Sequence, residues 1–206
     1  MKKINNSDEL ELGCQTRIRR RSNIMRWKIV KGYVKGKILD VGCGDCRHPK
    51  MIKIVDENYT GIDISDYFIK MAKEKGINVL KSDAQTINLK DKFDTVIALE
   101  VLEHLKNPEE MLKGINKVLN KDGIAILSTP NLRMIIGGNK CPFHINLFNY
   151  EDFKKLFGEY FEIIGEWGVF SSRLDIFPEF FMRFYEKVIP MKYQSDIMLI
   201  GKKSSK

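Results

Sequence analysis

Short apolar runs alternate with helical patterns from Lys37 onward. Each run is rich in apolar residues and is bounded by Gly, Asp or Asn, which is typical of strands buried on both faces of a sheet. The predicted strands are Lys37–Val41, Tyr59–Asp63, Ile77–Leu80, Phe93–Leu99, Ile124–Ser128, Tyr160–Trp167 and Ile197–Gly201.

Helical patterns occupy several of the segments between these strands. Ser65–Lys75 begins with a serine cap and carries its apolar residues on one face. Asn107–Leu119 begins with a cap, a first-turn proline and two acids that the helix dipole favours. The aromatic-rich segment Leu174–Met191 is also predicted to be helical. Alternation of strands and helices predicts βαβ units in one α/β domain, with a mostly parallel sheet covered by helices on both faces.

The net charge of +8 is concentrated at the N-terminus. Residues 1–37 carry eleven basic and three acidic side chains, whereas residues 38–206 carry 24 of each. The basic excess is densest at Arg17–Arg21. We expect residues 1–36 to form a basic helical arm with a solvated face, and binding of nucleic acid by this arm is the alternative.

Composition also bears on the location of the protein. The N-terminus has no apolar secretion segment, and the longest stretches without a charged side chain are ten residues, about half of what a membrane-spanning helix needs. Four cysteines without a secretion signal are expected to be reduced thiols. These features predict a soluble, cytoplasmic protein without a transmembrane segment.

A glycine-rich turn follows the first predicted strand, in the sequence Leu-Asp-Val-Gly-Cys-Gly-Asp-Cys at positions 39–46. Gly42 and Gly44 permit a sharp turn and a close approach of the backbone to a ligand. A dinucleotide-binding fingerprint would have a third glycine where Arg47 stands, and no Gly-Lys-Ser/Thr follows as in a phosphate-binding loop.

Four acids stand at or just after the ends of the first four predicted strands: Asp40, Asp63, Asp83 and Glu100. Strand ends of a parallel sheet share one edge, so these side chains are expected to converge. Carboxylates accept hydrogen bonds from ribose hydroxyls and from an exocyclic amine. The pattern therefore favours a ligand that bears hydroxyls and amines over one that bears phosphates.

The ordered set of motifs resembles the class I S-adenosylmethionine-dependent methyltransferases. ILDVGCGDC is similar to their glycine-rich motif, YTGIDIS to their acidic loop, KSDAQTINLKDKFDTVIALEVLEHL to the adenine-side acid and fourth strand, and INKVLNKDGIAILSTPN to the following helix and strand. The resemblance covers roughly residues 37–165. It implies a Rossmann-like three-layer αβα sandwich with a mostly parallel seven-stranded sheet and an antiparallel last strand. It also implies a methyltransferase domain at 37–206, an aromatic cap around 170–193, and S-adenosyl-L-methionine as cofactor, with S-adenosyl-L-homocysteine as product.

The same resemblance assigns roles to individual positions. The residues expected to bind the cofactor are Asp40 at its amino group, Gly42, Cys43 and Gly44 along its methionine part, Asp63 at the ribose hydroxyls, Ile64 against the adenine, Asp83 and Ala84 at the adenine edge, and Glu100 at the methionine end. The candidate catalytic residues are His144, Glu100 and His104.

Methyl transfer is an in-line displacement for which the cofactor supplies the reactivity, while a hydroxyl or amine acceptor can also need a general base. His104 follows Glu100 by four residues, so one helical turn could stack the two, although a packed imidazole is the alternative. His144 lies after the fifth strand, where it is expected to act as base, to contact the acceptor, or to stabilise a helix entry.

No metal is predicted. Cys43, Cys46 and His48 have only a partial ligand spacing, as have Cys141 and His144, and the first pair of thiols falls inside the cofactor turn. The acceptor is most simply a small molecule that receives the methyl group on O, N or C. We expect the aromatic face of Ile176–Met191 either to pack on the sheet or to line the acceptor pocket.

Two further classes stay open at this stage. One is an RNA or protein methyltransferase recruited through the basic arm, and the other is a cofactor-binding module without catalysis. The sequence leaves the oligomeric state undetermined.

Overall fold

A computed structural model describes residues 20–134, 143–169 and 190–204. Its strands are β1 (Ile38–Val41), β2 (Tyr59–Asp63), β3 (Val79–Lys81), β4 (Phe93–Leu99), β5 (Leu119–Pro130), β6 (Phe161–Val169) and β7 (Asp196–Lys203). Its α-helices are α1 (Arg20–Lys31), α2 (Arg47–Met51), α3 (Asp66–Glu74), α4 (Pro108–Val118) and α5 (Tyr150–Gly158).

The seven strands form one sheet in the order β3-β2-β1-β4-β5-β7-β6. Strand β7 runs antiparallel to both of its neighbours, and the pairs from β3 to β5 are parallel. This topology confirms the predicted Rossmann-like sandwich with an antiparallel last strand. The strand order reverses between β1 and β4, so the crevice at their carboxyl ends is where an open α/β sheet binds its ligand.

Side chains on the two faces of the sheet pack into two separate apolar clusters. One contains Leu39 and Val41 of β1 together with buried residues of α4 and α5. The other contains Ile38 of β1 together with Trp27 of α1 and buried residues of α3. Because successive residues of β1 point to opposite faces, this short strand belongs to both clusters. The sheet therefore forms the middle layer of three.

The observed elements differ from the predicted ones at several ends. Strand β5 begins at Leu119 rather than Ile124, because Leu119 already pairs with Phe93 of β4. Helix α5 was not predicted, although Asn149 caps it by accepting a hydrogen bond from the Asp152 amide. The predicted helix Leu174–Met191 lies outside the described residues except for its last two residues.

Helix α1 packs on the sheet through Trp27 and Val30, which are buried. The division of the chain into an arm at 1–36 and a domain at 37–206 stays a prediction. Within the described parts of the chain, no helix is both long enough and apolar enough to cross a membrane.

Candidate cofactor and acceptor site

The turn after β1 requires glycine at position 42. Gly42 has a φ of 69°, in the left-handed region, and its amide donates a hydrogen bond to the Ile62 carbonyl of β2. A Cβ added at Gly42 would lie 2.6 Å from Cγ2 of Val101, which is closer than two such atoms can pack. The turn is therefore held tightly between β2 and the segment that follows β4.

Gly44 has a similar backbone conformation but different surroundings. Its φ is 56°, and a Cβ built on it would meet no atom within 4 Å. The turn thus leaves open space above its second glycine. The space allows a ligand to pass close to the backbone at Gly44. The cofactor of the family that the motifs resemble is expected to pass there.

Asp63 links the end of β2 to this turn. Its Oδ2 accepts a hydrogen bond from the Gly44 amide at 2.8 Å, and its Oδ1 accepts one from the Ser65 amide at 2.9 Å. The side chain of the next residue, Ile64, is apolar but 64% exposed. A carboxylate beside an exposed apolar side chain suits a ribose and the flat ring attached to it.

Asp83 occupies the equivalent place after β3. Its Oδ1 accepts a hydrogen bond from the Gln85 amide at 2.8 Å and so caps the short 3-10 turn Ala84–Thr86. The predicted cofactor residues of β1, β2 and β3 thus stand at successive strand ends. The chemistry of this donor and acceptor set fits S-adenosylmethionine, although each residue's contact with it stays a prediction.

Asp40 is enclosed below the turn rather than at its rim. Its side chain is buried, and its Oδ2 accepts a hydrogen bond from the Tyr59 hydroxyl at 2.5 Å. Burial raises the pKa of Asp40 to about 7, against the opposing effect of the Tyr59 hydrogen bond. Its predicted approach to the cofactor amino group is untested.

Two cysteines, Cys43 and Cys46, lie in the turn. The Cys43 thiol packs over Gly61 of β2, where an added Cβ would lie 2.6 Å from its sulfur. A hydrogen bond with Cys46, together with burial, raises the pKa of Cys43 well above its usual value. Because a metal binds the thiolate, this environment disfavours a metal at Cys43.

Asp45, which was not predicted as a site residue, anchors the end of the turn that precedes α2. Its carboxylate accepts hydrogen bonds from Lys75 Nζ at 2.7 Å and from Arg47 Nε at 2.9 Å. Burial alone would raise the pKa of Asp45, but the hydrogen bonds from Arg47 and Lys75 outweigh it and lower the pKa. Lys75 directly follows α3, so this ion pair joins the turn to that helix.

Glu100 adopts a left-handed backbone conformation immediately after β4, with a φ of 59°. Its Oε1 accepts a hydrogen bond from the Ser128 hydroxyl at 2.9 Å, and its Oε2 lies 3.5 Å from Nη1 of Arg26. The same Nη1 lies 2.6 Å from Oδ2 of Asp196, and the side chains of Arg26 and Asp196 are both buried. Arg26 of the basic N-terminal region therefore contributes to the edge of the site rather than to a solvated face.

The two predicted catalytic histidines lie side by side. The ring centroids of His104 and His144 are 4.9 Å apart, and the rings meet edge to face. Nδ1 of His104 lies 3.1 Å from the Phe143 carbonyl oxygen. A carbonyl can only accept, so Nδ1 carries the proton and Nε2 presents a lone pair. Burial lowers the pKa of His104, which favours the neutral ring.

Glu103, which the sequence analysis did not single out, organises this pair. Its backbone carbonyl accepts hydrogen bonds from the amides of Ile145 and Asn146 at 2.9 and 3.0 Å. Its carboxylate is buried, with Oε1 3.9 Å from Nε2 of His104. The signal that could have marked Glu103 is its position directly before His104 in the sequence.

Comparison with known proteins places this geometry in context. Residues 39–127 match the family model described as a methyltransferase domain. A ubiquinone biosynthesis O-methyltransferase from Rickettsia bellii is 37% identical over 101 residues, which are 46% of this chain and 42% of that protein. The chain therefore matches less than half of the length of this relative.

Solved structures share the fold over more of the chain. A possible histamine N-methyltransferase from Thermotoga maritima superposes with a TM-score of 0.69 at 20% identity, covering 88% of this chain and 89% of that one. The cyclase SpnF superposes with a TM-score of 0.65 at 20% identity, covering 87% and 80%.

The sheet order, the glycine turn and the family match together define a class I methyltransferase fold. Residues 39–127 accordingly match a methyltransferase domain, and the chain shares the fold of the S-adenosylmethionine-dependent methyltransferases that its motifs resemble. These matches support S-adenosylmethionine, which the motifs predicted, as the cofactor. The side chains of Arg17–Arg21 and most of the predicted aromatic cap lie outside the described residues.

Proposed function

We propose that the protein transfers the methyl group of S-adenosylmethionine to a hydroxyl of a small organic molecule. The observation that carries this proposal is the cluster of Glu103, His104 and His144 after β4, next to the crevice at the strand ends. A neutral imidazole lone pair and a buried carboxylate are suited to activating a hydroxyl, which reacts as a nucleophile only after its proton is withdrawn. The name of the Rickettsia bellii relative, an O-methyltransferase, supports oxygen as the methylated atom.

The roles of the chain's own groups follow from their positions. Asp63, Ile64 and Asp83 bind the nucleoside, while Gly42, Cys43 and Gly44 bring the backbone under the methionine part. When bound, S-adenosylmethionine supplies a methyl group on a positively charged sulfur and leaves as S-adenosylhomocysteine. Glu100 borders that end of the crevice, where Ser128 and Arg26 hold its carboxylate. The cluster of Glu103, His104 and His144 orients the acceptor hydroxyl and promotes the loss of its proton.

The proposal extends to the organisation of the whole chain. Residues 37–206 form the methyltransferase domain, residues 1–36 an arm whose last part packs on it, and residues around 170–193 a cap over the acceptor. A cytoplasmic location is part of the same proposal. Recruitment of nucleic acid through Arg17–Arg21 is the alternative, and it predicts RNA affinity that falls steeply with salt.

The proposed function is tested in two stages. Calorimetric titration with S-adenosylmethionine comes first, and we expect binding by the wild type and weaker binding by Asp63→Asn. Asp63 also accepts the Gly44 amide, so hydrogen exchange of that amide shows whether the variant has kept its turn. Loss of binding with normal protection of Gly44 assigns the effect to the ribose contact.

Production of S-adenosylhomocysteine is then measured with a panel of small phenols and catechols and a matched panel of amines. We expect turnover with hydroxyl acceptors that falls by about 10²-fold or more in His144→Ala, because an acid or base group contributes about that much. Turnover with amines alone would contradict the assignment to oxygen. Normal cofactor binding without turnover on either panel would favour a cofactor-binding module or, as the cyclase of the same fold illustrates, a different reaction.

A further inference from the structure

Asp40 is an acid in the interior of the domain, at 2% exposure. Among the described residues, the ionisable groups that interact with it directly are Tyr59, Asp63 and Cys43, and none of these is a cation. Burial of a carboxylate without a positive partner is unfavourable. Asp40 therefore either keeps its proton or receives a positive group from a bound ligand.

The Tyr59 hydroxyl lies between this acid and a thiol. Its oxygen is 2.5 Å from Oδ2 of Asp40 and 3.5 Å from the sulfur of Cys46. A hydroxyl has one proton and can donate it to only one of these two atoms at a time. Tyr59 is itself 1% exposed, so water does not compete for this hydroxyl.

The three groups form a chain that can reverse its direction. When Asp40 is ionised, Tyr59 donates to the carboxylate and the Cys46 thiol donates to the Tyr59 oxygen. When Asp40 is protonated, the acid can donate to Tyr59, and Tyr59 can donate to the sulfur. The chain therefore supplies hydrogen bonds to Asp40 in either protonation state.

Cys46 takes its place in this chain against the preference of its backbone. Its φ is 55°, in the left-handed region that favours glycine, yet its side chain is only 1% exposed. Its sulfur and the ring of Tyr59 belong to the same apolar cluster. A strained non-glycine residue in a candidate binding turn points to a use for its side chain.

Asp40 can reach a ligand because Tyr59 binds only one of its two oxygens, Oδ2. The acid stands two residues before Gly42, at the base of the turn that leaves open space above Gly44. The cofactor expected in that space carries an ammonium group on its methionine part. This ammonium is a positive group of the kind that the surroundings of Asp40 lack.

We propose that Tyr59 and Cys46 are positioning residues through which Asp40 exchanges its own proton for the ammonium group of the cofactor. The O–H bond of the Asp40 acid breaks, its proton passes to water, and the carboxylate pairs with the ammonium. Binding of the cofactor is thereby coupled to the release of a proton. The inference rests on the cofactor of the proposed function and does not depend on the acceptor.

The size of the release follows from the state of Asp40 before and after binding. Burial raises the pKa of Asp40 to about 7, whereas an adjacent cation favours the carboxylate. Binding should then release about half a proton at pH 7 and about nine-tenths of one at pH 6. The Tyr59 hydrogen bond opposes the effect of burial, so its loss should raise the pKa further and increase the release at pH 7.

Calorimetric titration at pH 7 in two buffers of different ionisation enthalpy counts the protons released. S-adenosylhomocysteine carries the ammonium, whereas 5′-methylthioadenosine has the same nucleoside and a sulfur but no amino-acid part. We expect S-adenosylhomocysteine to release about half a proton more than 5′-methylthioadenosine. Asp40→Asn should abolish this difference, because asparagine has no proton to lose in this pH range.

Tyr59→Phe tests the positioning role while keeping the ring in its cluster. It should weaken binding of S-adenosylhomocysteine by about tenfold, because a hydrogen bond to a charged group is lost. The proton release at pH 7 should rise toward one, and the affinity for 5′-methylthioadenosine should stay as in the wild type. A role of Tyr59 in packing alone would leave the proton release unchanged.

Tyr33→Phe is the matched control. It removes a tyrosine hydroxyl that packs against the same apolar cluster but binds Nε1 of Trp167, at 3.1 Å, instead of an acid. Both affinities and the proton release should equal those of the wild type. Circular dichroism shows whether each variant is folded.

The thiol is tested by two substitutions that experience the same backbone conformation. Cys46→Ser keeps a donor and an acceptor next to Tyr59, so it should keep the wild-type proton release. Cys46→Ala removes both and should shift the release in the same direction as Tyr59→Phe, by a smaller amount. Equal values for the serine and alanine variants would remove Cys46 from the chain.

The possible results separate this inference from the proposed function. Equal proton release with the two ligands, or a wild-type release in Tyr59→Phe, would overturn the inference while the cofactor assignment stands. Failure of folded wild type to bind either ligand would overturn the proposed function and the inference together. Excess release with S-adenosylhomocysteine, but no methyl transfer to any hydroxyl, supports the inference and counts against the proposed function.

Discussion

Gly42 and Gly44 have nearly the same backbone conformation but different surroundings. The space around Gly42 is filled by Val101, whereas the space around Gly44 is open within 4 Å. The first glycine therefore serves the packing of the turn against the protein. The second serves the approach of a ligand from outside.

Alanine at each position separates these two effects. A positive φ costs a non-glycine residue about 1–2 kcal/mol. Gly42→Ala adds the overlap with Val101, so the free energy of unfolding of this variant should be lower than that of the wild type by about 2 kcal/mol or more. Gly44→Ala should lose only the backbone contribution, yet it should bind S-adenosylmethionine about tenfold more weakly because its methyl group enters the cofactor's space. Chemical denaturation and calorimetry measure the two quantities. Wild-type affinity in Gly44→Ala would show that the cofactor does not pass over this glycine.

Helix α1 is attached to the domain by a charged contact as well as by apolar packing. Arg26 reaches Asp196 at the start of β7, and also lies near Glu100 at the end of β4. The contact joins residues 170 positions apart in the sequence. The helix thereby connects the N-terminal region to the edge of the candidate site.

Arg26→Met should be strongly destabilising, because it removes the guanidinium from a fully buried carboxylate. Removal of one partner of a buried ion pair typically costs about 3–5 kcal/mol of unfolding free energy. Lys28→Met, an exposed exchange on the same helix, should change that free energy by less than about 0.5 kcal/mol. Urea denaturation of the two variants provides the comparison. Similar losses in both would mean that the buried pair contributes no more than the surface charge.

The elements of the sheet were predictable to the extent that local patterns define them. The alternation of apolar runs located all seven strands, because strands buried on both faces are marked by their own composition. Helix α5 was missed although its cap and first-turn acids are visible at Asn149, Glu151 and Asp152. The buried ion pair of Arg26 could not be predicted, since nothing near Arg26 in the sequence indicates that its partner is Asp196.

The candidate site was likewise predictable only where local patterns or the sheet topology determine it. His104 and His144 were singled out separately, but their contact depends on the amides of residues 145 and 146 folding back onto Glu103. Such a return of the chain is a property of the tertiary structure. The acids at the strand ends were predictable because a parallel sheet places all its carboxyl ends at one edge.

At the scale of the whole molecule, the buried and half-buried acids contribute in opposite directions to the pH dependence of the unfolding free energy. The pKa values of Asp94 and Glu166 are lowered, the first by the hydrogen bond from the Lys37 amide and the second by Lys154 and Tyr150 against the effect of burial. Their stabilisation is present above the unfolded pKa and is lost as the pH falls through the folded value. Asp40 acts in the opposite sense because its pKa is raised to about 7.

The contribution of Asp40 can be isolated by comparison with Asp40→Asn. In the folded chain Asp40 keeps its proton up to about pH 7, whereas the unfolded chain releases it near pH 4, so its ionisation reduces stability as the pH rises between these values. Each pH unit of that window corresponds to about 1.4 kcal/mol, and Asp40→Asn should remove a decline of a few kcal/mol. Urea denaturation at pH 5 and pH 8 provides the measurement. The exposed exchange Asp122→Asn should keep the wild-type slope, and a wild-type slope in Asp40→Asn would contradict the raised pKa.

The segment that carries His144 is held mainly through main-chain atoms. The Phe143 carbonyl binds His104, and the amides of Ile145 and Asn146 bind the Glu103 carbonyl. These contacts do not depend on which side chains occupy positions 143 and 145, and Ile145 is 53% exposed. The side chains that flank His144 in the proposed acceptor site can therefore be exchanged without loss of the main-chain contacts that hold the segment, so the shape of the site can vary while its histidine pair stays in place.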